Sequence, residues 1–174
     1  MSNYKEIVTK TIIGKGKKEY ISNYEVETDI EPSTVLGCWI INHKFSGTNN
    51  QNEVFVNGSY DVNIWYSYDN DSKTSVTTKN ISYNESMKLR VKDYDSLNNN
   101  NEIIVRSLKQ PTVQNVKIKD GKVYLTINKE LGVEIVGESK VKIAIEDDEL
   151  PWDELYEEPN IDEVDENYIE NDKQ

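Results

Sequence analysis

Hydrophobic and polar residues alternate along several stretches of this chain, which is the pattern of a β-strand with one buried face. The alternation is clearest in Ser59–Tyr68 (SYDVNIWYSY). One face of this predicted strand carries Tyr60, Val62, Ile64, Tyr66 and Tyr68, and the other carries Asp61, Asn63, Trp65 and Ser67. The stretch therefore predicts a strand whose apolar face meets a core and whose mixed face presents Trp65.

A two-residue β-hairpin is predicted at Asp120-Gly121, because this dipeptide favours the left-handed backbone of a type I′ turn. The turn lies between the runs VQNVKIK and KVYLTIN of Val113–Asn128. Its register places Val116 and Ile118 on the same face as Val123, Leu125 and Ile127. Downstream, Gly137 is predicted to separate two further strands, Leu131–Val136 and Ser139–Ile145, the second with Val141, Ile143 and Ile145 turned inward.

Two other apolar runs are less specific. Val35–His43 (VLGCWIINH) is apolar almost throughout, which predicts a strand buried on both faces. Ile7–Ile13 fits a strand or a single helix equally well. Polar, turn-favouring breaks separate the runs at Ser46–Asn52, Asp69–Ser72 and Asn98–Asn101.

The aliphatic composition strengthens the β interpretation. The chain has 16 Val and 18 Ile against eight Leu and one Ala. β-Branched side chains lose rotamer freedom in a helix and pack well on a pleated surface. We therefore predict a mainly β protein, an antiparallel sandwich or small barrel of roughly ten short strands.

Charge divides the 174-residue chain into two parts. Residues 146–174 hold 14 of the 32 acids and one base, a net charge of −13, which leaves +1 for residues 1–145. A segment this acidic and poor in apolar surface is expected to be disordered when free. We therefore predict a β-rich domain over residues 1–145 and a disordered acidic tail over residues 146–174.

The acidic tail also contains an apolar cluster, whose members are Leu150, Trp152, Leu155 and Tyr156. Such a segment can place apolar side chains on a partner while its acids contact Lys or Arg there. The alternative is a solvating tail whose aromatic residues have no role. The predicted partner-binding residues are the anchors Trp152, Leu155 and Tyr156 and the electrostatic steering acids Asp147, Asp148 and Glu149.

No catalytic site emerges from the sequence. Cys38 and His43 are the chain's single Cys and single His, and their odd separation places them on opposite faces of a regular strand. A serine nucleophile would also need His43, and no G-x-S-x-G elbow is present. Gly14–Lys18 (GKGKK) lacks the spacing of a phosphate-binding loop and is predicted to be a basic strand end. We expect no enzymatic activity, no cofactor and no metal ion.

Charge and hydropathy argue against several partners. No run of 18 apolar residues and no secretory signal pattern is present, so we expect a cytosolic chain without membrane insertion. Net charges of +1 and −13 offer no basic footprint for nucleic acid.

Trp65 and Trp39 face away from the apolar stripe on a regular-strand interpretation, and exposed aromatic residues are enriched at protein interfaces. The remaining class is an interaction protein.

Five strings spread along the chain carry a family resemblance. They are YKEIVTKTIIGKGKK (Tyr4–Lys18), PSTVLGCWIINHK (Pro32–Lys44), GSYDVNIWYSYDNDSKT (Gly58–Thr74), KLRVKD (Lys88–Asp93) and VGESKV (Val136–Val141). Together with the acidic end, they closely resemble the CotE family of outer spore coat morphogenetic proteins of endospore-forming bacteria. The resemblance spans almost the whole chain.

The resemblance implies a non-enzymatic scaffold, made in the mother-cell cytoplasm during sporulation and then located in the spore coat. It implies that residues 1–145 self-associate into a homo-oligomer, that the protein attaches to coat-basement morphogenetic proteins, and that residues 146–174 recruit outer spore coat client proteins. One rival is a small-ligand or carbohydrate-binding β module that uses Trp39 and Trp65 as a stacking platform. The other is an enzyme that joins Cys38 and His43 to a carboxylate.

Overall fold

The computed structural model describes residues 3–50, 53–92, 97–98 and 100–145. These residues form seven β-strands and no helix. The strands are β1 (Asn3–Val26), β2 (Thr34–Asn50), β3 (Glu53–Tyr68), β4 (Lys73–Lys88), β5 (Arg90–Val91), β6 (Glu102–Lys119) and β7 (Lys122–Ile145). Ile7–Ile13 lies within β1, so this run is strand and not helix.

The strands form two sheets, in the orders β5-β1-β7-β6 and β2-β3-β4. The pairs β1–β5, β2–β3, β3–β4 and β6–β7 are antiparallel. Both sheets contribute side chains to one hydrophobic core, as the two layers of a sandwich do. Fully buried members include Tyr60, Val62, Ile64 and Tyr66 of β3 and Leu125, Ile127, Leu131 and Val133 of β7. The prediction of a mainly β, antiparallel sandwich is confirmed.

The chain groups into two compact units. The larger spans Val8–Val141 and contains the hydrophobic core. The smaller consists of Met1–Ile7 and Lys142–Gln174, of which the structure describes residues 3–7 and 142–145. Residues 146–174 lie outside the described residues, so the division into a domain over 1–145 and an acidic tail stays a prediction.

The predicted hairpin at Asp120-Gly121 is confirmed. The two residues have φ angles of 52° and 74°, which is the left-handed backbone that a type I′ turn requires. Ile118 pairs with Val123 and Val116 pairs with Leu125, so these four side chains share a face as the sequence predicts. The break at Asp69–Ser72 is also a turn, and it joins β3 to β4 through three consecutive left-handed residues.

The strands are fewer and longer than the predicted set of roughly ten short ones. Gly137 does not separate two strands but lies inside β7. A Cβ at this position would lie 2.7 Å from Cδ1 of Ile13 on β1, so the glycine makes room for a neighbouring side chain and does not form a turn. Ile143, predicted to turn inward, is exposed.

Candidate functional site

Five large apolar side chains lie exposed on the outer face of the β2-β3-β4 sheet. We call this set the tryptophan face, and its members are Leu36, Trp39, Ile41, Trp65 and Val76, each 43–48% exposed. Contiguous exposed apolar surface of this kind marks sites of interaction more often than isolated apolar residues do.

Strand register brings Trp39, Ile41, Trp65 and Val76 onto one surface, and Leu36 is the unpaired residue of a β2 bulge beside them. Trp65 lies opposite Gly37 on β2 and opposite Val76 on β4, and directly paired residues project to the same side of a sheet. A Cβ at Gly37 would lie 3.6 Å from the Trp65 ring and 3.7 Å from the Trp39 ring, so the two indoles flank this glycine. The prediction that Trp39 and Trp65 face away from the core is confirmed.

The prediction that Val35–His43 is buried on both faces is wrong. This run belongs to β2, which is an edge strand of its sheet. Its inner face, with Cys38 and Ile40, packs against the core, while Leu36, Trp39 and Ile41 are exposed on the other face. A continuous apolar run has no period that separates a fully buried strand from an edge strand with an apolar outer face.

Hydrogen-bonded polar side chains border the tryptophan face. Asp61 on β3 accepts hydrogen bonds from Nδ2 of Asn42 at 3.0 Å and from Nδ2 of Asn80 at 2.8 Å, so one polar row crosses all three strands. These bonds stabilise the ionised carboxylate and lower the pKa of Asp61. An apolar centre with a satisfied polar border is the usual anatomy of a protein interface.

Cys38 and His43 lie on the same face of β2, so the prediction that they occupy opposite faces is wrong. The pairing register between β2 and β3 shifts between Ile41 and Lys44, where Asn42 has a φ of 57°. This bulge inserts one extra residue into the strand and reverses the alternation of side chains beyond it. His43 therefore turns inward, beside Cys38 and Ile40 on the core side.

The two side chains are nevertheless too far apart to share a proton. Cys38 pairs with Ile64, whereas the His43 ring lies 5.9 Å from that of Tyr60, four residues away along β3. At the rise of a strand, four residues span about 13 Å. Burial also raises the pKa of Cys38 to about 11, so its thiol is protonated at neutral pH. This geometry does not make a nucleophile and base pair.

A buried ion pair joins the two sheets on the inner side. Nζ of Lys129 on β7 is 2.9 Å from Oε1 of Glu85 on β4, and the Lys129 side chain is 1% exposed. The rings of Tyr20 and Tyr83 lie 5.2 Å and 4.2 Å from the ammonium group. No pattern in the sequence predicts this cluster, because its members come from three strands and no spacing within a single strand brings them together.

The predicted partner-binding residues Asp147, Asp148, Glu149, Trp152, Leu155 and Tyr156 lie outside the described residues, and their roles stay predictions. Among the residues that the structure does describe, no group of three or more His, Cys, Asp or Glu side chains is placed to hold a metal ion. The described residues also contain no helix that is long and apolar enough to cross a membrane.

The fold and the tryptophan face define a class, a two-sheet β protein with an exposed surface of the kind that contacts other proteins. Its family is shown by the match of residues 3–174 to the model of outer spore coat protein E, and the chain belongs to this CotE family. It is therefore a spore coat protein. Searches of curated proteins and of solved structures returned no match.

Proposed function

We propose that this protein is a non-enzymatic scaffold of the endospore coat that self-associates through its tryptophan face and recruits outer coat proteins through residues 146–174. It is made in the mother-cell cytoplasm, and attachment to coat-basement morphogenetic proteins brings it to the forespore. The observation that carries the proposal is the tryptophan face, on a chain whose family belongs to a protein assembly.

Three properties of the tryptophan face support a second copy of the chain as its occupant. The face has no charged member, so covering it with the same face leaves no charge unpaired. Asp61 at its border is already satisfied by two amides. Two tryptophans near its centre are the residue type that most often dominates binding energy. A self-complementary contact of this kind gives a closed dimer as the smallest unit.

Residues 146–174 support the recruiting function through their composition. Their 14 acids would attract a basic partner, and Trp152, Leu155 and Tyr156 would then anchor it by apolar contacts. Self-association and recruitment would thus use separate parts of the chain, which allows each to be tested alone.

Light scattering after gel filtration of the full chain tests self-association. Trp39→Thr with Trp65→Thr keeps strand-favouring residues while removing both indoles. Loss of hot-spot residues costs about 2 kcal/mol or more, so we expect the assembly constant to weaken by at least about 30-fold. The control pair Ile21→Thr with Tyr124→Thr removes exposed apolar side chains elsewhere and is expected to assemble like the wild type.

Two results would contradict self-association through this face. One is a wild-type chain that stays monomeric at every concentration, and the other is a Trp39→Thr/Trp65→Thr variant that assembles as well as the control. Saturable quenching of tryptophan fluorescence by a soluble glycan would instead favour the carbohydrate-binding alternative, because stacking on Trp39 and Trp65 would produce it.

Recruitment is tested in sporulating cells that carry a full-length variant as their only copy. We expect Trp152→Ser with Leu155→Ser and Tyr156→Ser to leave the protein in the coat while reducing the outer coat proteins extracted from the spores. The control pair Ile21→Thr/Tyr124→Thr, which lies outside residues 146–174, should change neither the location of the protein in the coat nor the amount of outer coat protein. An unaltered set of outer coat proteins in the Trp152 variant would show that these anchors do not recruit clients.

A further inference from the structure

A groove of about 520 Å³ runs over the outer side of the β5-β1-β7-β6 sheet, whereas the tryptophan face belongs to the other sheet. Five exposed cations line it, and we call it the basic groove. They are Lys15 and Lys17 of β1, Lys88 at the end of β4, Arg90 of β5 and Arg106 of β6. Gly14–Lys18 is thus not a strand end, as its sequence predicts, but lies inside β1, which holds both lysines on one face.

The charge of the basic groove is largely uncompensated. Glu134 is the single acid in its lining, and its Oε1 lies 3.6 Å from Nε of Arg106. The other four cations form no ion pair with any residue that the structure describes. Lys15 and Arg90 are direct cross-strand partners, an arrangement that repels unless an anion lies between the two side chains. The groove therefore favours an anionic occupant.

The floor of the basic groove is apolar, because Leu108 of β6 lies across Gly132 of β7. Leu108 is 48% exposed, and a Cβ at Gly132 would approach its Cδ1 to 2.9 Å. A ligand that fits therefore combines several negative charges with a large apolar side chain. A simple inorganic anion would satisfy the cations but would leave Leu108 exposed to water.

The connection between β1 and β2 has this composition. It spans residues 27–33, and we call residues 27–31 the acidic loop. Three exposed acids lie in it, with Ile30, which is 43% exposed, between two of them. The acids are Glu27, Asp29 and Glu31. Glu27 shares its cation, Lys122, with Glu25, and the other two acids form no ion pair within the described part of the chain. The loop thus carries excess negative charge around an apolar side chain.

Hydrogen bonds to the β2-β3-β4 sheet hold the acidic loop in place. The backbone N–H of Ile30 donates to the hydroxyl of Tyr66, and that of Asp29 donates to Oγ1 of Thr77, each at 3.2 Å. Val26 and Pro32, on either side of the loop, are buried. Because its backbone is already ordered, the loop loses little conformational entropy when it binds.

The acidic loop cannot reach the basic groove of its own chain. Both lie within the unit Val8–Val141, but Val26, where β1 ends, is nine residues beyond Lys17. At the rise of a strand, nine residues span about 30 Å. The bonds to Tyr66 and Thr77 keep the loop from folding back over that distance. These opposite charges can therefore meet only between two copies of the chain.

We propose that the acidic loop of one copy binds in the basic groove of the next copy, with Ile30 against Leu108. Such a contact joins two different surfaces, so it continues head to tail into a ring or an open chain, whereas the tryptophan face would close on itself. The contact uses no member of the tryptophan face and does not depend on that proposal. Each of the two contacts can fail while the other holds.

The test uses the full chain with Trp39→Thr and Trp65→Thr, a background that removes the contact proposed for the tryptophan face. Sedimentation velocity at low salt should still show species larger than a monomer, which grow with protein concentration. They should dissociate in about 1 M NaCl, where the screening length is about 3 Å. A background chain that is monomeric at every concentration would overturn the head-to-tail contact, whatever the chain with its native tryptophans does.

Charge reversals on each side locate the contact in this background. Lys15→Glu with Arg90→Glu in the groove, or Asp29→Lys with Glu31→Lys in the loop, should each weaken the assembly constant at least about tenfold, because each places like charges face to face. The matched controls reverse exposed charges outside both surfaces and should assemble like the background. They are Lys79→Glu with Lys117→Glu, and Glu102→Lys with Glu138→Lys.

A mixture of the two defective variants identifies the head-to-tail geometry. The groove variant keeps an intact acidic loop, and the loop variant keeps an intact basic groove. Together they should form a 1:1 complex with the affinity of the background contact, although neither assembles alone. This complex also requires that both variants are folded. If the groove variant loses assembly and the loop variant does not, another anionic group occupies the groove, which overturns the proposal, as does a mixture that forms no complex.

Carbodiimide cross-linking of the unaltered chain gives a second measurement that needs no variant to fold. In a mixture of isotopically light and heavy protein, we expect amide bonds that join Lys15, Lys17 or Lys88 of one chain to Asp29 or Glu31 of another. Cross-links between light and heavy chains establish that the contact is intermolecular. Groove lysines that couple to other carboxylates and never to the acidic loop would contradict the proposal.

Discussion

The ring of Tyr83 lies over Gly58, its direct cross-strand partner, and fills the space that a side chain at position 58 would occupy. The same tyrosine donates or accepts a hydrogen bond with Nε2 of His43 at 2.6 Å, and its ring contacts the Lys129 ammonium. Gly58 therefore leaves room for an aromatic residue that contacts both the His43 imidazole and the Lys129 ammonium.

Replacing Gly58 by alanine should destabilise the protein, because the new Cβ overlaps the Tyr83 ring. We expect a loss of about 1–3 kcal/mol in the free energy of unfolding, measured by urea denaturation. Gly37→Ala is the matched control, since a Cβ there meets the tryptophan rings only at ordinary contact distance. Equal losses in the two variants would show that the Tyr83 overlap is not the cause.

The buried Lys129–Glu85 pair should respond asymmetrically to removal of its partners. Glu85→Met leaves an uncompensated ammonium that is 1% exposed, and we expect a loss of about 3–5 kcal/mol. Lys129→Met leaves a carboxylate with access to water and should cost less, and the double variant should recover part of the Glu85→Met loss. Lys73→Met, which removes an exposed ion pair with Asp69, should change stability by less than about 0.5 kcal/mol. Chemical denaturation of all four variants measures these differences. Equal losses of stability in Glu85→Met and Lys129→Met would contradict the asymmetry.

His43 should make the protein less stable as the solution becomes mildly acidic. Burial, followed by the charge of Lys129, lowers the pKa of His43 below its ordinary 6.5. As the pH falls through 6.5, the imidazole of the unfolded chain binds a proton before that of the folded protein does. The free energy of unfolding therefore falls as the pH decreases. His43→Gln does not titrate, and its stability should vary less between about pH 7 and pH 5, a range above the ordinary pKa of carboxylates. Urea denaturation across this range measures the difference, and identical slopes would contradict the burial of a neutral imidazole.

Cys38 should react slowly with thiol reagents in the native protein. Burial raises its pKa to about 11, which reduces the thiolate fraction on the order of 100-fold relative to an ordinary thiol. We expect a correspondingly slow reaction with a disulfide reagent at mildly alkaline pH, and a fast one in guanidinium. Since Cys38 is the sole cysteine in the sequence, the measured reaction rate belongs to this thiol. A native rate equal to the unfolded rate would show that the thiol is solvated.

The sequence predicts this fold best where local chemistry decides the structure. Asp120-Gly121 forms its turn through the backbone preferences of two residues, and the alternation in Ser59–Tyr68 follows from burial of one strand face. Both patterns have a physical cause within a few residues, so no knowledge of distant neighbours is needed. The outward position of Trp65 follows from the same alternation.

The predictions that fail depend on a neighbouring strand. Gly137 resembles a turn residue until Ile13 is placed beside it, and Val35–His43 resembles a buried strand until β2 is found at a sheet edge. The bulge at Asn42, which reverses the face of His43, becomes visible only in the pairing with β3, because one Asn that tolerates a left-handed backbone does not by itself predict a bulge.

The position of β1 between β5 and β7 has a consequence for how the protein is made. The β3–β4 and β6–β7 hairpins can close as soon as their own residues leave the ribosome. β1 is synthesised first, and until β7 is made it can pair only with the two residues of β5. Side-chain bonds between these two strands join Asn23 to Thr126 and Glu19 to Asn128, more than a hundred residues apart. Contacts of such long separation form slowly and leave strand edges open in the meantime. Completion of the sandwich, and not formation of its turns, should therefore limit the rate of folding, and the first strand to emerge should be among the last to complete its pairing.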